Sequence, residues 1–91
     1  MEIMVFGKQG CASCQTTKNK FEHFLNKYEY SDKVSMKFFD METEDGLAEG
    51  AFNDVLKIPT TILKNKDDKI LFRCEGQVPN RQEFEEFFKG L

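Results

Sequence analysis

Cys11 and Cys14 are the residues of this chain with the clearest chemistry, two thiols three positions apart in Gly10-Cys11-Ala12-Ser13-Cys14-Gln15. In one helical turn, residues at that spacing have Cα atoms about 5–5.5 Å apart, inside the range of about 4.4–6.8 Å that a disulfide spans. Such a pair opens and closes with little backbone movement. If Cys11 stands near a helix start, unpaired amides and the macrodipole favour an anion there by about 0.3–1 kcal/mol, and by up to about 2 when partly buried. At about 1.36 kcal/mol per pKa unit, this moves a thiol from ~8.5 toward ~7, where about half of it is thiolate near neutral pH. Lys8, three residues upstream, can add to that field. Cys11 is accordingly assigned as the attacking thiolate, and Cys14, one turn inward, as the thiol that resolves a mixed disulfide.

Other uses of the pair fit less well. A four-residue ring removes only about 2 kcal/mol of denatured-state entropy, against about 4.7 kcal/mol for a 100-residue loop, so a structural staple gains little. A closed zinc site needs four ligands and C-x-x-C supplies two, leaving Cys74 and His23 as the remaining candidates. On a continuous helix His23 stands about 13.5 Å along the axis from Cys14, too far to share a metal or to act as its base. Zinc or an iron–sulfur cluster would need a second chain or an external thiol. His23 reads as a solvated residue, and Glu42, Glu44 and Asp45 as a solvated turn. Cys74 alternates with Ile70 and Phe72 and reads as a buried apolar filler, with a regulatory thiol as the other reading.

The elements that must hold the pair follow from periodicity. Ile3 to Phe6 is a short apolar run closed by Gly7, as in a strand buried on both faces. Thr17, Phe21, Phe24, Leu25 and Tyr28 then fall on one stripe of a helix from about Cys11 to Tyr28, and Ser31-Asp32-Lys33 turns the chain. Val34 to Asp40 is a second strand and Glu42 to Gly46 a turn. Leu47, Ala51, Phe52 and Val55 recur at helical spacing, and Gly50 weakens that helix by about 1 kcal/mol. Ile58-Pro59 ends it, because the residue before proline favours extended geometry. Thr60 to Leu63 and Ile70 to Cys74 form a hairpin across Asn65 to Lys69. Asn80 caps a last helix, with Glu83 completing a capping box and Phe84, Phe87, Phe88 and Leu91 forming its buried stripe. The order is β-α-β-α-β-β-α, an α/β domain with a mixed sheet whose opening strands run parallel and whose terminal hairpin is antiparallel.

Composition bounds the partners. Ninety-one residues hold one domain, residues 1–91, and ten Phe supply a core. Thirteen Lys+Arg against sixteen Asp+Glu give a net charge of −3, with no basic block, so neither nucleic acid nor an anionic membrane surface is indicated. No apolar run approaches the ~20 residues that cross a bilayer, and the first strand begins too early for a signal peptide. The cytoplasm is the expected location, where a close cysteine pair reads as catalytic or metal-binding.

The element order, the C-x-x-C at the first strand-to-helix junction and Ile58-Pro59-Thr60-Thr61 ahead of the hairpin together resemble the thioredoxin-like superfamily, nearest to its small glutaredoxin-like members. The resemblance spans nearly the whole chain. It implies a sheet order of 2-1-3-4, with the first and last helices on one face. It also implies that Cys11 attacks, that Cys14 resolves, and that the bond before Pro59 is cis. Ile58 would then offer backbone hydrogen bonds to an extended substrate peptide, with Pro59, Gly76 and Lys8 on the same binding side. Three departures stand out. Gly10 replaces the Trp of thioredoxins before the first cysteine, with Ala12-Ser13 between the cysteines. Gly76-Gln77-Val78-Pro79-Asn80 lacks the second Gly and the acid that glutaredoxins often carry. The first strand has no buried Asp to take the proton of Cys14.

The expected activity is thiol–disulfide oxidoreduction on protein or small-molecule disulfides by a monomer without a bound cofactor. A flavoprotein reductase or glutathione would serve as external electron donor. The rival is a redox-responsive binding module or thiol carrier for a dedicated partner.

Overall fold

The computed structural model describes residues 1–89. Its elements are β1 (Glu2–Gly7), α1 (Ala12–Lys27), β2 (Ser35–Asp40), α2 (Glu44–Phe52), β3 (Thr60–Lys64), β4 (Ile70–Glu75) and α3 (Arg81–Lys89). The sheet order is β2-β1-β3-β4, with β1 parallel to β2 and antiparallel to β3, and β3 antiparallel to β4. The mixed four-stranded sheet with three helices, and its 2-1-3-4 order, are as expected.

Strand β1 is buried on both sides because its side chains alternate between two apolar layers. Ile3 and Val5 join Phe21 and Leu25 of α1, Leu63 of β3, and Phe84 and Phe87 of α3, which places the first and last helices on one face. Met4 and Phe6 join Phe39, Ile62 and Val55 on the other face. Phe21 is the keystone of the first layer, with its ring centroid 4.8 Å from Phe84 and 4.7 Å from Phe87. Truncating such a ring to Ala costs about 3–5 kcal/mol.

Helix α1 ends where Glu29 turns left-handed at φ 59°. The Tyr30 amide then reaches the Leu25 carbonyl at 2.8 Å and the Glu29 amide the Asn26 carbonyl at 3.3 Å, a paired closure that satisfies the last carbonyls. Tyr28 therefore sits at the cap and is exposed, so the buried stripe stops at Leu25. Helix α3 starts on the expected capping box. The Glu83 amide donates to Asn80 Oδ1 at 2.9 Å and the Asn80 amide to Glu83 Oε1 at 3.1 Å. Phe84 and Phe87 are buried and Phe88 is half-buried, while Leu91 lies outside the described residues.

Helix α2 corrects the sequence reading. It begins two residues into the expected turn, capped by the Thr43 hydroxyl, which accepts the Gly46 amide at 3.0 Å. It ends at Phe52, leaving Val55 in the returning segment. Leu47 is 53% exposed, Phe52 78% exposed and Ala51 exposed, whereas Gly46 and Gly50 face inward. The reason is close approach. A Cβ at Gly46 would overlap the Asp40 carbonyl, and one at Gly50 would lie 2.6 Å from Met41 Cε, so hydrophobic periodicity marked the outer face. Strand β4 departs as well. An irregularity between Leu63 and Lys64 pairs Lys64 with Ile70 and Leu63 with Phe72, which breaks the alternation and leaves both Ile70 and Leu71 exposed on the sheet edge.

Candidate functional site

The two cysteines meet where β1 hands over to α1. Cys11 is the N-cap of α1, with extended backbone at φ −94° and ψ 110°. Its amide donates to the Lys8 carbonyl at 3.3 Å, and its own carbonyl accepts the Gln15 amide at 3.1 Å. This closes the short Lys8–Gly10 connection and starts the helix. Lys8 itself is exposed and meets the site through its backbone. Cys11 and Cys14 are joined in a disulfide with Cα atoms 5.2 Å apart.

The two sulfurs differ in surroundings. Cys11 is half-buried, and its Sγ accepts the Cys14 amide at 3.2 Å with Ser13 Oγ 3.4 Å away. A sulfur thus fills the position that Ser, Thr or Asp usually occupies at a helix start, so an anion on it would be hydrogen-bonded by the amide of the third helical residue. Cys14 is fully buried. It rests on Gly7, where a Cβ would lie 2.6 Å from Cys14 Cβ and 2.8 Å from its Sγ. The glycine that reads as a strand terminator is therefore the floor beneath the second cysteine. Nothing in the sequence shows this role apart from Gly7's position four residues before Cys11.

Strand register brings the proline loop to the same place. Phe6 pairs with Thr60, one step short of Gly7 and Pro59, so the ends of β1 and β3 meet beside Cys14. The Ile58–Pro59 bond is cis. Pro59 is buried and Ile58 half-exposed, and the Pro59 carbonyl accepts the Gly76 amide at 2.8 Å. Gly76 has φ +74°, which glycine adopts without a steric penalty, and the Lys57 stem packs against it. Leu56, 92% exposed, stands three residues before Pro59.

The returning segment is held by a residue that sequence reading missed. Arg73 on β4 donates from Nη1 to the Asn53 carbonyl at 2.6 Å and from Nη2 to the Asp54 carbonyl at 2.7 Å, while its Nε is paired with Glu75. Its only sequence signal is a lone arginine inside an apolar strand.

Cys74 is buried and apart from the pair. Its thiol donates to Glu83 Oε2 at 3.2 Å, with the Gln77 carbonyl 3.7 Å away. Burial, and then the Glu83 carboxylate beside it, push this thiol up to about 12. It is a hydrogen-bonded tie between β4 and the cap of α3, more than an apolar filler. His23 is exposed on α1, and among the described residues no three His, Cys, Asp or Glu are grouped to hold a metal ion. Nor is any described helix long and apolar enough to cross a membrane.

No protein-family model and no curated protein matches the sequence. The structure is similar to solved thioredoxins. Thioredoxin 1 of Thermosipho africanus superposes with a TM-score of 0.79 at 16% identity, over 99% of this chain and 93% of that one. Thioredoxin-2 of the malaria parasite gives 0.77 at 17% identity, over 99% and 82%. Oxidised mitochondrial thioredoxin 3 of Saccharomyces cerevisiae gives 0.73 at 18% identity, over 99% and 77%. The chain has the thioredoxin fold, with a C-x-x-C pair at the head of its first helix.

Proposed function

We propose that this chain is a thiol–disulfide oxidoreductase that works through Cys11 and Cys14. The observation that carries the reading is one sulfur in two roles. Cys11 Sγ caps α1 on the Cys14 amide and is covalently joined to the buried sulfur of Cys14. An anion at Cys11 is favoured by that amide and by the helix dipole, and the half-buried setting leaves one side open to a substrate.

The cycle begins with the reduced pair. Cys11 thiolate attacks one sulfur of a substrate disulfide, forming a Cys11–substrate bond and releasing the other substrate sulfur as a thiolate, which takes a proton from water. Cys14, deprotonated, then attacks Cys11 Sγ. The mixed disulfide breaks, the second substrate sulfur leaves as a thiolate and takes up the proton that Cys14 gave up, and the Cys11–Cys14 disulfide remains. Two electrons have passed to the substrate. An external dithiol or two molecules of a low-molecular-weight thiol return them, with a flavoprotein reductase or glutathione as the donor class and no cofactor resident in the chain. An extended substrate strand would lie along Ile58 and Pro59, hydrogen-bonding the Ile58 backbone, with Gly76 bracing the Pro59 carbonyl and the exposed Lys8 nearby. The proposed setting is a monomer in a reducing compartment, the cytoplasm.

Turnover of insulin with dithiothreitol as donor tests this. The parent should precipitate insulin well above the reagent rate, Cys11→Ser should fall to background, and Cys14→Ser should accumulate a mixed disulfide at Cys11. A parent no faster than dithiothreitol alone would remove the general reductase reading.

A further inference from the structure

Among the described residues, one buried side-chain nitrogen or oxygen has no hydrogen-bond partner, the hydroxyl of Thr61. Thr61 is fully buried, and an unpaired hydroxyl in that position costs about 1–3 kcal/mol. Its place in the sheet is specific. Thr61 lies opposite Val5 on one side and Cys74 on the other, and both Val5 and Leu63, two residues along β3, belong to the layer beneath α1 and α3. Thr61 therefore faces that layer.

Gly7 is the next residue of β1 on the same face, diagonal to Thr61, and Cys14 Sγ lies 2.8 Å from where its Cβ would be. Diagonal neighbours across antiparallel strands have Cα atoms about 7–8 Å apart, with side chains closer. The Thr61 hydroxyl and the Cys14 sulfur thus share one buried corner. Neither flanking residue competes for the hydroxyl. Val5 has no polar side-chain atom, and the Cys74 thiol is engaged with Glu83.

We propose that Thr61 is a positioning residue for Cys14, its hydroxyl donating a hydrogen bond to the Cys14 sulfur once the disulfide opens. The proposal rests on the dithiol–disulfide reading above. In the closed state Cys14 Sγ is bonded to Cβ and to Cys11 Sγ, and the Thr61 hydroxyl has no hydrogen bond to it. Two donor thiols supply two electrons and two protons, the S–S bond breaks, and the donor leaves as a disulfide. The freed Cys14 sulfur, above all as the thiolate that attacks the mixed disulfide, accepts a hydrogen bond strongly. Thr61 retains its own proton throughout. Its unpaired hydroxyl thus weighs against the oxidised state and is satisfied in the reduced one.

The test compares Thr61→Val, which keeps the shape, with Thr61→Ser, which keeps the hydroxyl. Each full chain is equilibrated with reduced and oxidised glutathione, and the Cys11–Cys14 dithiol fraction is read by thiol alkylation and mass. Thr61→Val should move the equilibrium constant about five- to tenfold toward the disulfide, with Thr61→Ser within about twofold of the parent. Urea unfolding of the oxidised Thr61→Val protein should be as hard as that of the parent, or harder. If Thr61→Val folds poorly, Thr61→Ala against Thr61→Ser gives the same contrast. An unchanged equilibrium, an equal shift in Thr61→Ser, or equal destabilisation of both redox states overturns the proposal. Insulin turnover by the parent judges the oxidoreductase reading separately. A parent without turnover whose equilibrium still depends on the Thr61 hydroxyl keeps this role, and an active parent indifferent to Thr61→Val loses it.

Discussion

At the scale of single residues, the chemistry depends on two cysteines in opposite settings. Cys11 Sγ is held by a helix-start amide, so alkylation of the reduced protein should titrate below the range of a free thiol. Iodoacetamide rates against pH, followed at Cys11 by mass, measure this. Cys74 is the reverse case. Its thiol lies at about 12 in the fold against an ordinary 9.0, so unfolded chains release that proton first. Stability from Cys74 is complete below pH 9 and lost as pH rises toward 12, at about 1.4 kcal/mol per pH unit. Urea unfolding of the oxidised protein between pH 8.5 and 11 should show this slope in the parent, and a smaller one in Cys74→Ala. The cysteine pair was legible from residue type and spacing, and the cis bond before Pro59 only from the family resemblance. The Glu83 partner of Cys74 and the orphan hydroxyl of Thr61 were not, because the first arises from how the start of α3 docks against β4 and the second from the register of β3 between β1 and β4.

At the scale of elements, glycine decides how α2 docks. Gly46 abuts the Asp40 carbonyl, which is backbone and cannot yield, whereas Gly50 abuts the tip of Met41, a flexible side chain. Alanine gains about 1 kcal/mol of helix propensity at either site. Gly50→Ala should therefore change stability little, while Gly46→Ala should lose about 1–3 kcal/mol through overpacking. Chemical denaturation of the two variants separates these outcomes, and equal effects would contradict the packing account. The same geometry explains why the apolar spacing of α2 marks its outer face. An inward face built of glycines leaves no hydrophobic signal, so Leu47, Ala51 and Phe52 stood out although they face solvent. The other elements were legible because their inward faces carry large side chains, as Phe21 and Phe87 do.

At the scale of the whole molecule, the sheet brings two distant segments, residues 7–14 and 56–59, to one end and leaves the cores to hold them there. The disulfide adds little to that support. A four-residue ring constrains the unfolded chain by only about 2 kcal/mol. Reduction should therefore lower the melting temperature by no more than about 8–16 °C, with the fold retained, as scanning calorimetry of both redox forms would show. A larger fall, or loss of cooperative unfolding, would make the bond a structural one.

The atom that caps α1 is also the atom proposed to react, and this makes the Cys14 amide a reporter built into the backbone. Its proton resonance should follow the charge on its neighbour through each stage of turnover. One peak in a nitrogen-15 spectrum could then be used to time the chemistry without any attached label.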